Sequence, residues 1–308
     1  MSRRRVLLVL TMLAAIAAAG LAYSYFVEPR RLVVNRQTLT IDGWPQGLDG
    51  LKIVAIADIH GGSNAVDEAK LRRIVETVNA ESADLIVLLG DYVSQRGGGR
   101  SELGDRELKM PLATLMQNLS GLSARHGVMV VMGNHDDWYG SGEIAAGFRG
   151  LGYTVLDDQI VSVVHDGTAF RIFGLRDQLH VGNWEEYTGR LKRVIAESGG
   201  SGPIVALEHS PDVFPIVTDP KIVVSRDLRL MLAAHTHGGQ VWLPLLGTPI
   251  VPSSYGQKYS YGHVRENGAD LFVTSGIGTS ILPFRFMMPP EIAVLTVQSS
   301  GFRVPGQK

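Results

Sequence analysis

Hydrophobic and polar positions along this chain follow two periodicities, one typical of buried strands and one typical of amphipathic helices. Runs such as 51–57, 85–89 and 128–132 are almost wholly apolar, as expected of sheet strands that are buried on both faces. Other segments place apolar residues three and four positions apart, which indicates helices. The predicted strands are 38–41, 51–57, 85–89, 128–132, 161–164, 169–173, 203–207, 228–233, 241–243, 271–274 and 292–297, and the predicted helices are 66–80, 110–122 and 184–197.

The order of these elements predicts an α/β fold. Strands and helices alternate first and more strands follow, which is the pattern of a layered domain with mixed sheets. We assign this domain to residues 51–308, and residues 30–50 to a linker that contains the first strand. Ligands of such folds gather beyond the carboxyl ends of the strands, so we expect the chemistry there. The most flexible insertion is expected at Gly97–Gly104, beside that site.

The amino terminus has the features of a membrane segment. Arginines at positions 3 to 5 precede a stretch without charge, Val6–Val27, which ends at Glu28 and Pro29. Its 22 positions are enough for a helix to cross a bilayer. Positive charge on the near side predicts that the amino terminus is inside the cell and the remainder outside. Residues 1–29 are therefore predicted to anchor the chain in a plasma membrane, with the following domain extracytoplasmic.

Two other interpretations of this segment remain open. Ala17-Ala18-Ala19 resembles a signal-peptide cleavage site, so the segment would be removed on export. The run from Ser2 to Leu8 is similar to a loose twin-arginine signal, a route that carries folded, metal-loaded proteins. A helix buried in the globular domain is the third interpretation.

Composition excludes several classes of function. The 308 residues carry a formal net charge of -1, so nothing favours a nucleic-acid partner, and we expect none. The chain has no cysteine, which excludes disulfides, iron–sulfur clusters and a thiol nucleophile. A content of 45% hydrophobic residues is enough for a sizeable core. Any attraction for phosphate must therefore come from a local site, such as a bound metal.

Metal-binding side chains follow five of the predicted strands, each within one or two residues of the strand end. They lie in Asp58-Ile59-His60, Gly90-Asp91, Gly133-Asn134-His135-Asp136, His209 and His235-Thr236-His237. Because carboxyl ends of parallel strands meet at one edge of a sheet, we interpret the five segments as one site.

The residue types indicate the chemistry of this site. Carboxylate, imidazole and amide ligands together favour two divalent ions such as Mn, Fe or Zn over an all-oxygen Mg or Ca cage. Two such ions most often serve phosphate esters, by lowering the pKa of a bridging water and neutralising phosphate oxygens. Asp91 is expected to bridge the ions. His135 is expected to contact phosphate or protonate the leaving oxygen, with Asp136 holding its ring.

In order and spacing, the five segments resemble the signature of calcineurin-like metallophosphoesterases over roughly residues 50–297. One departure is Ala234, where the family usually has glycine before the His-x-His pair. The resemblance implies a four-layer α/β/β/α sandwich with two mixed sheets and a dinuclear metal centre at the strand ends. Residues 51–308 would be the catalytic domain, preceded by one transmembrane helix.

The resemblance also implies the role of each site residue. One metal would take Asp58, His60, Asp91 and His237, and the other would take Asp91, Asn134, His209 and His235. His135 would be the catalytic histidine. The membrane segment, His235–Gln240 and Thr274–Thr279 look most like the anchored or exported bacterial branch. That branch includes phosphodiesterases and UDP-2,3-diacylglucosamine pyrophosphatase-like enzymes.

These expectations lead to one main hypothesis, a membrane-anchored phosphoesterase in which a metal-bridging hydroxide attacks phosphorus. Since the anchor places the site near lipid head groups, a phospholipid or lipid-linked substrate such as UDP-2,3-diacylglucosamine is expected. An apolar rim for acyl chains is predicted from Trp138, Tyr139, Trp242, Leu245, Leu246, Phe284, Phe286, Met287 and Met288. Alternatives that the sequence leaves open are a non-catalytic metal-stabilised binding protein, a phosphomonoesterase of soluble or cell-wall phosphates, and a metal-dependent redox enzyme. The sequence sets no oligomeric state.

Overall fold

The computed structural model describes residues 2–96, 107–222 and 224–301. The strands are β1 (Val33–Ile41), β2 (Leu51–Ile56), β3 (Leu85–Leu89), β4 (Val128–Val131), β5 (Thr154–Val155), β6 (Gln159–His165), β7 (Thr168–Gly174), β8 (Ile204–Leu207), β9 (Leu228–Ala233), β10 (Gly262–Glu266), β11 (Ala269–Val273) and β12 (Glu291–Ser299). The α-helices are α1 (Arg3–Phe26), α2 (Glu68–Ala80), α3 (Leu112–Leu119), α4 (Asn134–Tyr139), α5 (Ser141–Gly150), α6 (Trp184–Glu197) and α7 (Phe214–Val217). The predicted flexible insertion, Gly97–Gly104, lies outside the described residues.

The first sheet has the strand order β1-β12-β2-β3-β4-β5. Strands β2 to β5 run parallel, whereas β12 runs antiparallel to β2 and parallel to the edge strand β1. The parallel strands β2, β3 and β4 end at the same edge of the sheet. Asp58, Asp91 and Asn134 follow these three strand ends.

The second sheet has the strand order β10-β11-β9-β8-β7-β6. Its four central strands run parallel, and the hairpins β6–β7 and β10–β11 add one antiparallel strand at each edge. His209 follows β8 and His235 follows β9. Both sheets therefore present the carboxyl ends of neighbouring strands, and both contribute site residues there.

Alternation along the strands divides the core into three layers of side chains. Ile53 and Ala55 on β2 pack between the two sheets, together with residues such as Val205 on β8. Val54 and Ile56 point to the other face of β2 and pack among the residues of α2, α3 and α5. The outer face of the second sheet packs on α6 and α7. The predicted four-layer α/β/β/α sandwich with two mixed sheets is confirmed.

Several predicted elements differ in the structure. The strand predicted at 241–243 is wrong, because Val241 and Leu243 form only isolated bridges, with Phe286 and Gly247. Strand β10 was not predicted, since it is a half-exposed edge strand without a continuous apolar run. Helices α4 and α5 were also not predicted, because the residues of α4 are mostly polar and α5 contains three glycines.

Helix α1 lies outside the sandwich. A window of 18 of its residues has a mean hydropathy of 2.3, and none of that window is buried in the structure. The interpretation as a helix buried in the globular domain is therefore wrong. A membrane anchor and an export signal both fit a helix of this length and composition near the amino terminus.

The carboxyl end of α1 is fastened to the sandwich without a spacer. Ser24, Glu28 and Pro29 are buried. The backbone N–H of Arg285 donates to the Ser24 carbonyl oxygen at 3.1 Å, and the ammonium of Lys70 donates to the Pro29 carbonyl oxygen at 2.7 Å. These contacts fix where the apolar helix leaves the folded domain.

Lys70 gives this junction a dependence on pH. Burial, together with the charge of Arg285, lowers the pKa of Lys70 from 10.5 to about 7. Between these values the unfolded chain binds more protons than the folded one, so stability rises as the pH increases. Relative to Lys70→Met, we expect the free energy of unfolding of the wild type to rise by roughly 3 kcal/mol between pH 7 and 10. Denaturant unfolding of the full chain in detergent, followed by tryptophan fluorescence, measures this difference.

The matched control for Lys70 is Lys192→Met, which removes a lysine from the exposed face of α6. This variant should keep the wild-type slope of stability against pH. Equal slopes for the wild type and Lys70→Met would contradict the prediction.

Candidate metal centre

The predicted metal ligands lie in loops whose backbone is strained. Five of them have positive φ angles: Asp58 at 49°, His60 at 44°, Asp91 at 57°, His235 at 69° and His237 at 53°. Residues other than glycine rarely adopt this conformation, which clusters at functional sites where surrounding contacts enforce it. Here the Asp58 N–H donates to the Gly90 carbonyl oxygen at 2.9 Å, and the His60 N–H to the Asp91 carbonyl oxygen at 3.0 Å.

Asp58, His60 and His237 form the first ligand cluster. The Nε2 atoms of His60 and His237 lie 3.1 Å apart, and Asp58 Oδ1 lies 3.7 Å from His237 Nε2. All three side chains are buried. Neither carboxylate oxygen of Asp58 has a hydrogen-bond partner within the described residues. A buried carboxylate without a partner is costly, and a cation would remove that cost.

Asn134, His209 and His235 form the second ligand cluster. His209 Nε2 lies 3.1 Å from His235 Nδ1 and 3.2 Å from Asn134 Oδ1. The other ring nitrogen of His209 lies 2.7 Å from the Leu89 carbonyl oxygen. That contact fixes the ring and directs Nε2 toward the centre of the cluster.

Asp91 lies between the two clusters. Its Oδ2 atom is 3.6 Å from His60 Nε2 in the first cluster and 3.3 Å from His209 Nε2 in the second. Its Oδ1 atom accepts a hydrogen bond of 2.8 Å from the His135 N–H, at the start of α4. One carboxylate therefore faces ligands from both sheets.

The ring of His135 faces the cavity above these clusters and is less buried than the rings of the ligand clusters. Its Nε2 atom lies 4.0 Å from Asp91 Oδ2 and 3.3 Å from Ser280 Oγ. The ring packs edge-on against Trp138, with centroids 4.6 Å apart. By distance alone, His135 also groups with His60 and Asp91 as a possible metal-binding set. Its role in proton transfer therefore stays a prediction.

The proposed contact between Asp136 and the His135 ring is not present among the described residues. The Asp136 carboxylate instead accepts hydrogen bonds from the backbone N–H groups of Asp91, Tyr92 and Gly133, at 2.8 to 2.9 Å. Asp136 lies at the first turn of α4, where its carboxylate faces the loop after β3 rather than the ring. These hydrogen bonds hold the Asp91 loop against the segment that contains Asn134, so the expected contact with the ring is wrong, and the catalytic role of Asp136 stays a prediction.

Two glycines allow the loops to approach each other closely. Gly90 has a φ of 90°, and a Cβ atom there would lie 2.7 Å from both the Gly133 nitrogen and His209 Nδ1. A Cβ atom on Gly133 would collide with the Asp91 carboxylate. A side chain at either position would displace ligands. Glycine therefore precedes Asp91 and Asn134 for a steric reason.

Arg285 supports the first cluster, and the sequence interpretation missed it. Its guanidinium is fully buried, donates to the carbonyl oxygens of Ser275 at 2.7 Å and Gly278 at 2.8 Å, and lies 3.3 Å from His237 Nδ1. The guanidinium thereby links the 274–279 loop to a ligand ring. A lone arginine within the apolar run 281–290 was the available signal. The 274–279 loop also packs closely on Asp58, since a Cβ atom on Gly276 would lie 2.5 Å from Asp58 Oδ2.

The electrostatics of the clusters suit metal binding. Burial lowers the pKa of His60 and of His235 to about 3, so both rings are neutral near pH 7. Burial would raise the pKa of Asp91, but His209 and His135 hold it well below its usual range. Burial raises the pKa of Asp58 to about 7, although His209 opposes the shift. Neutral imidazoles at His60 and His235 and an ionised carboxylate at Asp91 are the protonation states that metals require. The pKa of His209 moves the other way, because burial would lower it but the charge of Asp91 raises it.

Two metal ions fit this donor set. Ligands about 2.0–2.2 Å from one ion lie roughly 3–3.5 Å from each other. Donor atoms lie at such distances in both clusters, at 3.1 Å in the first and at 3.1 and 3.2 Å in the second. Within the described residues, the orphaned oxygens of Asp58 are otherwise unexplained. The structure thus brings together all seven residues predicted as ligands; which ion each residue binds stays a prediction.

A cavity of about 500 Å³ opens above the clusters. Asp91, Asn134, His135, His235 and His237 form its floor. Its walls are mainly apolar and include Trp138, Val241, Pro249, Ile250, Val251, Pro252, Ile281 and Leu282. The site can therefore receive a charged group at its base and an apolar group above it.

Two ligand clusters joined by a carboxylate, at the strand ends of a four-layer sandwich, define the class of dinuclear metallohydrolases. The family model of the calcineurin-like phosphoesterases matches residues 51–239. The chain belongs to this family and is a phosphoric ester hydrolase.

Relatives match along nearly the whole chain. An uncharacterised metallophosphoesterase of Bacillus subtilis (strain 168), YkuE, is 32% identical over 92% of this chain and 92% of its own. The phosphodiesterase YaeI of Escherichia coli (strain K12) is 27% identical over 96% of this chain and 98% of its own. Among solved structures, a dimetal phosphatase from Danio rerio aligns over 74% of this chain and 88% of its own, with 14% identity and a TM-score of 0.44.

Proposed function

We propose that this chain is a dinuclear-metal phosphodiesterase. The observation that carries the proposal is the position of Asp91 Oδ2, 3.6 Å from a ring nitrogen of one cluster and 3.3 Å from a ring nitrogen of the other. A carboxylate that serves two ions at once is what in-line displacement at phosphorus uses. The name of the relative YaeI, a phosphodiesterase, supports a diester substrate.

Each site residue has a proposed task. Asp58, His60 and His237 would hold one ion, Asn134, His209 and His235 would hold the other, and Asp91 would contribute to both sets of ligands. When bound, the two divalent ions, Mn, Fe or Zn, supply a hydroxide near neutral pH and neutralise phosphate charge. His135 donates a proton to the leaving oxygen from the cavity side. Asp136 and Arg285 keep the loops in place.

The substrate class follows from the cavity walls. Its charged floor suits the phosphate, and its apolar walls suit an acyl or other hydrophobic group. Within the predicted rim at 284–288, Met287 is exposed and Phe284 and Phe286 are half-buried, whereas Met288 is buried, so only part of this segment can contact a substrate. We therefore propose a phospholipid or a lipid-linked diphosphate, of the kind represented by UDP-2,3-diacylglucosamine.

The exposed helix α1 supports a place at the membrane. Its arginines precede the apolar stretch, so the sandwich is proposed to face the extracytoplasmic side of a bacterial plasma membrane. Export with cleavage, including by the twin-arginine route, would deliver the domain to the same side.

The test is a comparison of two soluble reporters, a bis-nitrophenyl phosphodiester and a nitrophenyl phosphomonoester, with the full chain in detergent. After chelation, we expect activity to vanish and to return on addition of Mn²⁺, with a higher kcat/KM for the diester. A higher kcat/KM for the monoester would instead support a phosphomonoesterase. Metal binding without hydrolysis of either reporter would support the non-catalytic alternative and overturn the proposal.

A further inference from the structure

Six large apolar side chains are exposed around the mouth of the cavity. These six residues form the apolar rim: Trp242, Leu245, Leu246, Ile250, Ile281 and Met287. Of these, Ile250 and Ile281 were not among the residues predicted from the sequence. Leu245 and Ile281 are as exposed as they would be in an unfolded chain, at 103% and 95% of their full surface. Soluble proteins rarely gather so many exposed apolar residues in one place without an interaction partner.

Hydrogen bonds join the loops of the apolar rim into one surface. The Trp242 N–H donates to the Phe286 carbonyl oxygen at 2.9 Å, and the Phe286 N–H donates to the Gln240 carbonyl oxygen at 2.9 Å. A tight turn between Leu243 and Gly247 raises Leu245 at its tip. The apolar rim is therefore a built surface of paired loops, and two of its members, Ile250 and Ile281, line the cavity.

The same loops hold the end of α1. The Asn64 side-chain amide donates to the carbonyl oxygens of both Tyr25 and Pro283, at 2.9 and 2.6 Å. The ring of Tyr23 packs edge-on against Phe286, with centroids 6.4 Å apart. The exposed apolar helix thus leaves the domain directly beside the apolar rim.

The position of α1 determines the depth of the apolar rim relative to a bilayer. A helix of 24 residues is about 36 Å long, slightly more than the roughly 30 Å hydrocarbon core of a bilayer. When α1 spans the membrane, its carboxyl end emerges at the outer interface, where aromatic residues such as Tyr23, Tyr25 and Trp242 are favoured. The loops that contact the carboxyl end of α1 then lie at the same depth, at the outer interface.

We propose that the apolar rim inserts into the outer interface of the phospholipid bilayer, so that the cavity takes its phosphoester lipid directly from the membrane. The bilayer is the occupant because the apolar rim is continuous with a helix of transmembrane length and composition. The choice of a phosphoester lipid as the substrate rests on the proposed phosphodiesterase function, whereas the insertion of the apolar rim does not.

The absence of cysteine allows insertion to be measured with single labels in the full chain. Leu245→Cys and Ile281→Cys, each carrying a nitrobenzoxadiazole label, are reconstituted into phosphatidylcholine–phosphatidylglycerol vesicles that contain nitroxide-labelled lipid. We expect strong quenching by the lipid at both positions. Water-like emission without quenching at both positions would overturn the proposal and would indicate a surface for a protein partner.

The matched control is Val164→Cys. Val164 is also an exposed apolar residue, at 61% of its full surface. It lies at the end of β6 that pairs with the start of β7, and therefore at the opposite end of the parallel strands from the site. We expect no quenching there, and quenching at all three positions would contradict a specific docking face.

Turnover tests the origin of the substrate. The double variant Leu245→Ser/Leu246→Ser, at two residues of the apolar rim that do not line the cavity, should keep wild-type activity on the soluble diester but lose about tenfold or more on a phospholipid diester presented in vesicles. Val164→Ser should change neither activity. An unchanged ratio of lipid to soluble turnover would overturn delivery from the membrane. If the wild type shows no metal-dependent turnover, the phosphodiesterase proposal is refuted. The proposed insertion of the apolar rim is not affected by that result, because the quenching experiment needs no activity.

Discussion

Replacing Asp91 with asparagine is expected to lower kcat/KM for a phosphodiester by at least about a thousandfold, since one charge that serves both ligand clusters is lost. Asparagine has the same shape and keeps an oxygen that can accept the His135 N–H, so the fold should persist. Removing the negative charge leaves the opposed rings of His60 and His209 without their shared carboxylate. Steady-state kinetics with Mn²⁺ and elemental analysis of the purified variant measure both effects.

Asp270→Asn is the matched control for Asp91→Asn. Both aspartates are 2% exposed, but Asp270 lies on β11 and pairs with His263 and Arg265, away from the ligand clusters. This control should retain two equivalents of metal and wild-type turnover. An Asp91→Asn variant that binds two metals and keeps activity within about tenfold would contradict the shared carboxylate.

Most of the fold was predictable because buried parallel strands leave a strong pattern. Runs such as 85–89 contain only apolar residues and lie between two layers. The differences arise where the local composition does not decide whether a segment pairs as a strand. Val241 has the composition of a strand, yet it forms only a bridge to Phe286, and β10 is defined by its pairing with β11.

The candidate site was predictable to the level of residue types and strand ends, but its supporting contacts were not. Asp136 looked like a partner for the ring of its neighbour, yet its carboxylate binds backbone N–H groups 44 and 45 positions earlier. Arg285 reaches His237 across 48 positions, through a contact that no local periodicity encodes. Such contacts depend on how two loops meet in space, which spacing along the chain does not determine.

The contacts between α1 and the sandwich add information that the sequence of α1 does not contain. The apolar stretch alone predicts a membrane segment, but it does not predict how the domain is oriented on the membrane. If α1 spans a membrane, the hydrogen bonds from Asn64 and Arg285 to its last turn would set that orientation. The loop that carries Arg285 therefore contacts both the anchor helix and a metal-cluster histidine. A substrate drawn from the bilayer would reach the clusters past this loop.

Replacing His135 with glutamine is expected to lower kcat by roughly 10²–10⁴ for an alkyl phosphodiester, because the leaving alkoxide would no longer receive a proton. His135 Nε2 is the ring nitrogen that faces the cavity, near Ser280. A nitrophenyl leaving group needs little protonation, so the loss should be much smaller for that ester. Comparing the two esters separates proton donation from simple binding of the phosphate. The metal content should stay at two equivalents.

The same variant decides between the two roles that the distances allow for His135. Loss of one equivalent of metal, with equal losses of kcat for both esters, would contradict proton donation and assign the ring to the ligands. His263→Gln is the control, because His263 pairs with Asp270 away from the site and its loss should change neither ester. Proton donation predicts a steep dependence of the rate loss on the leaving group, whereas metal coordination predicts none, because an ion missing from the site slows the attack on every ester.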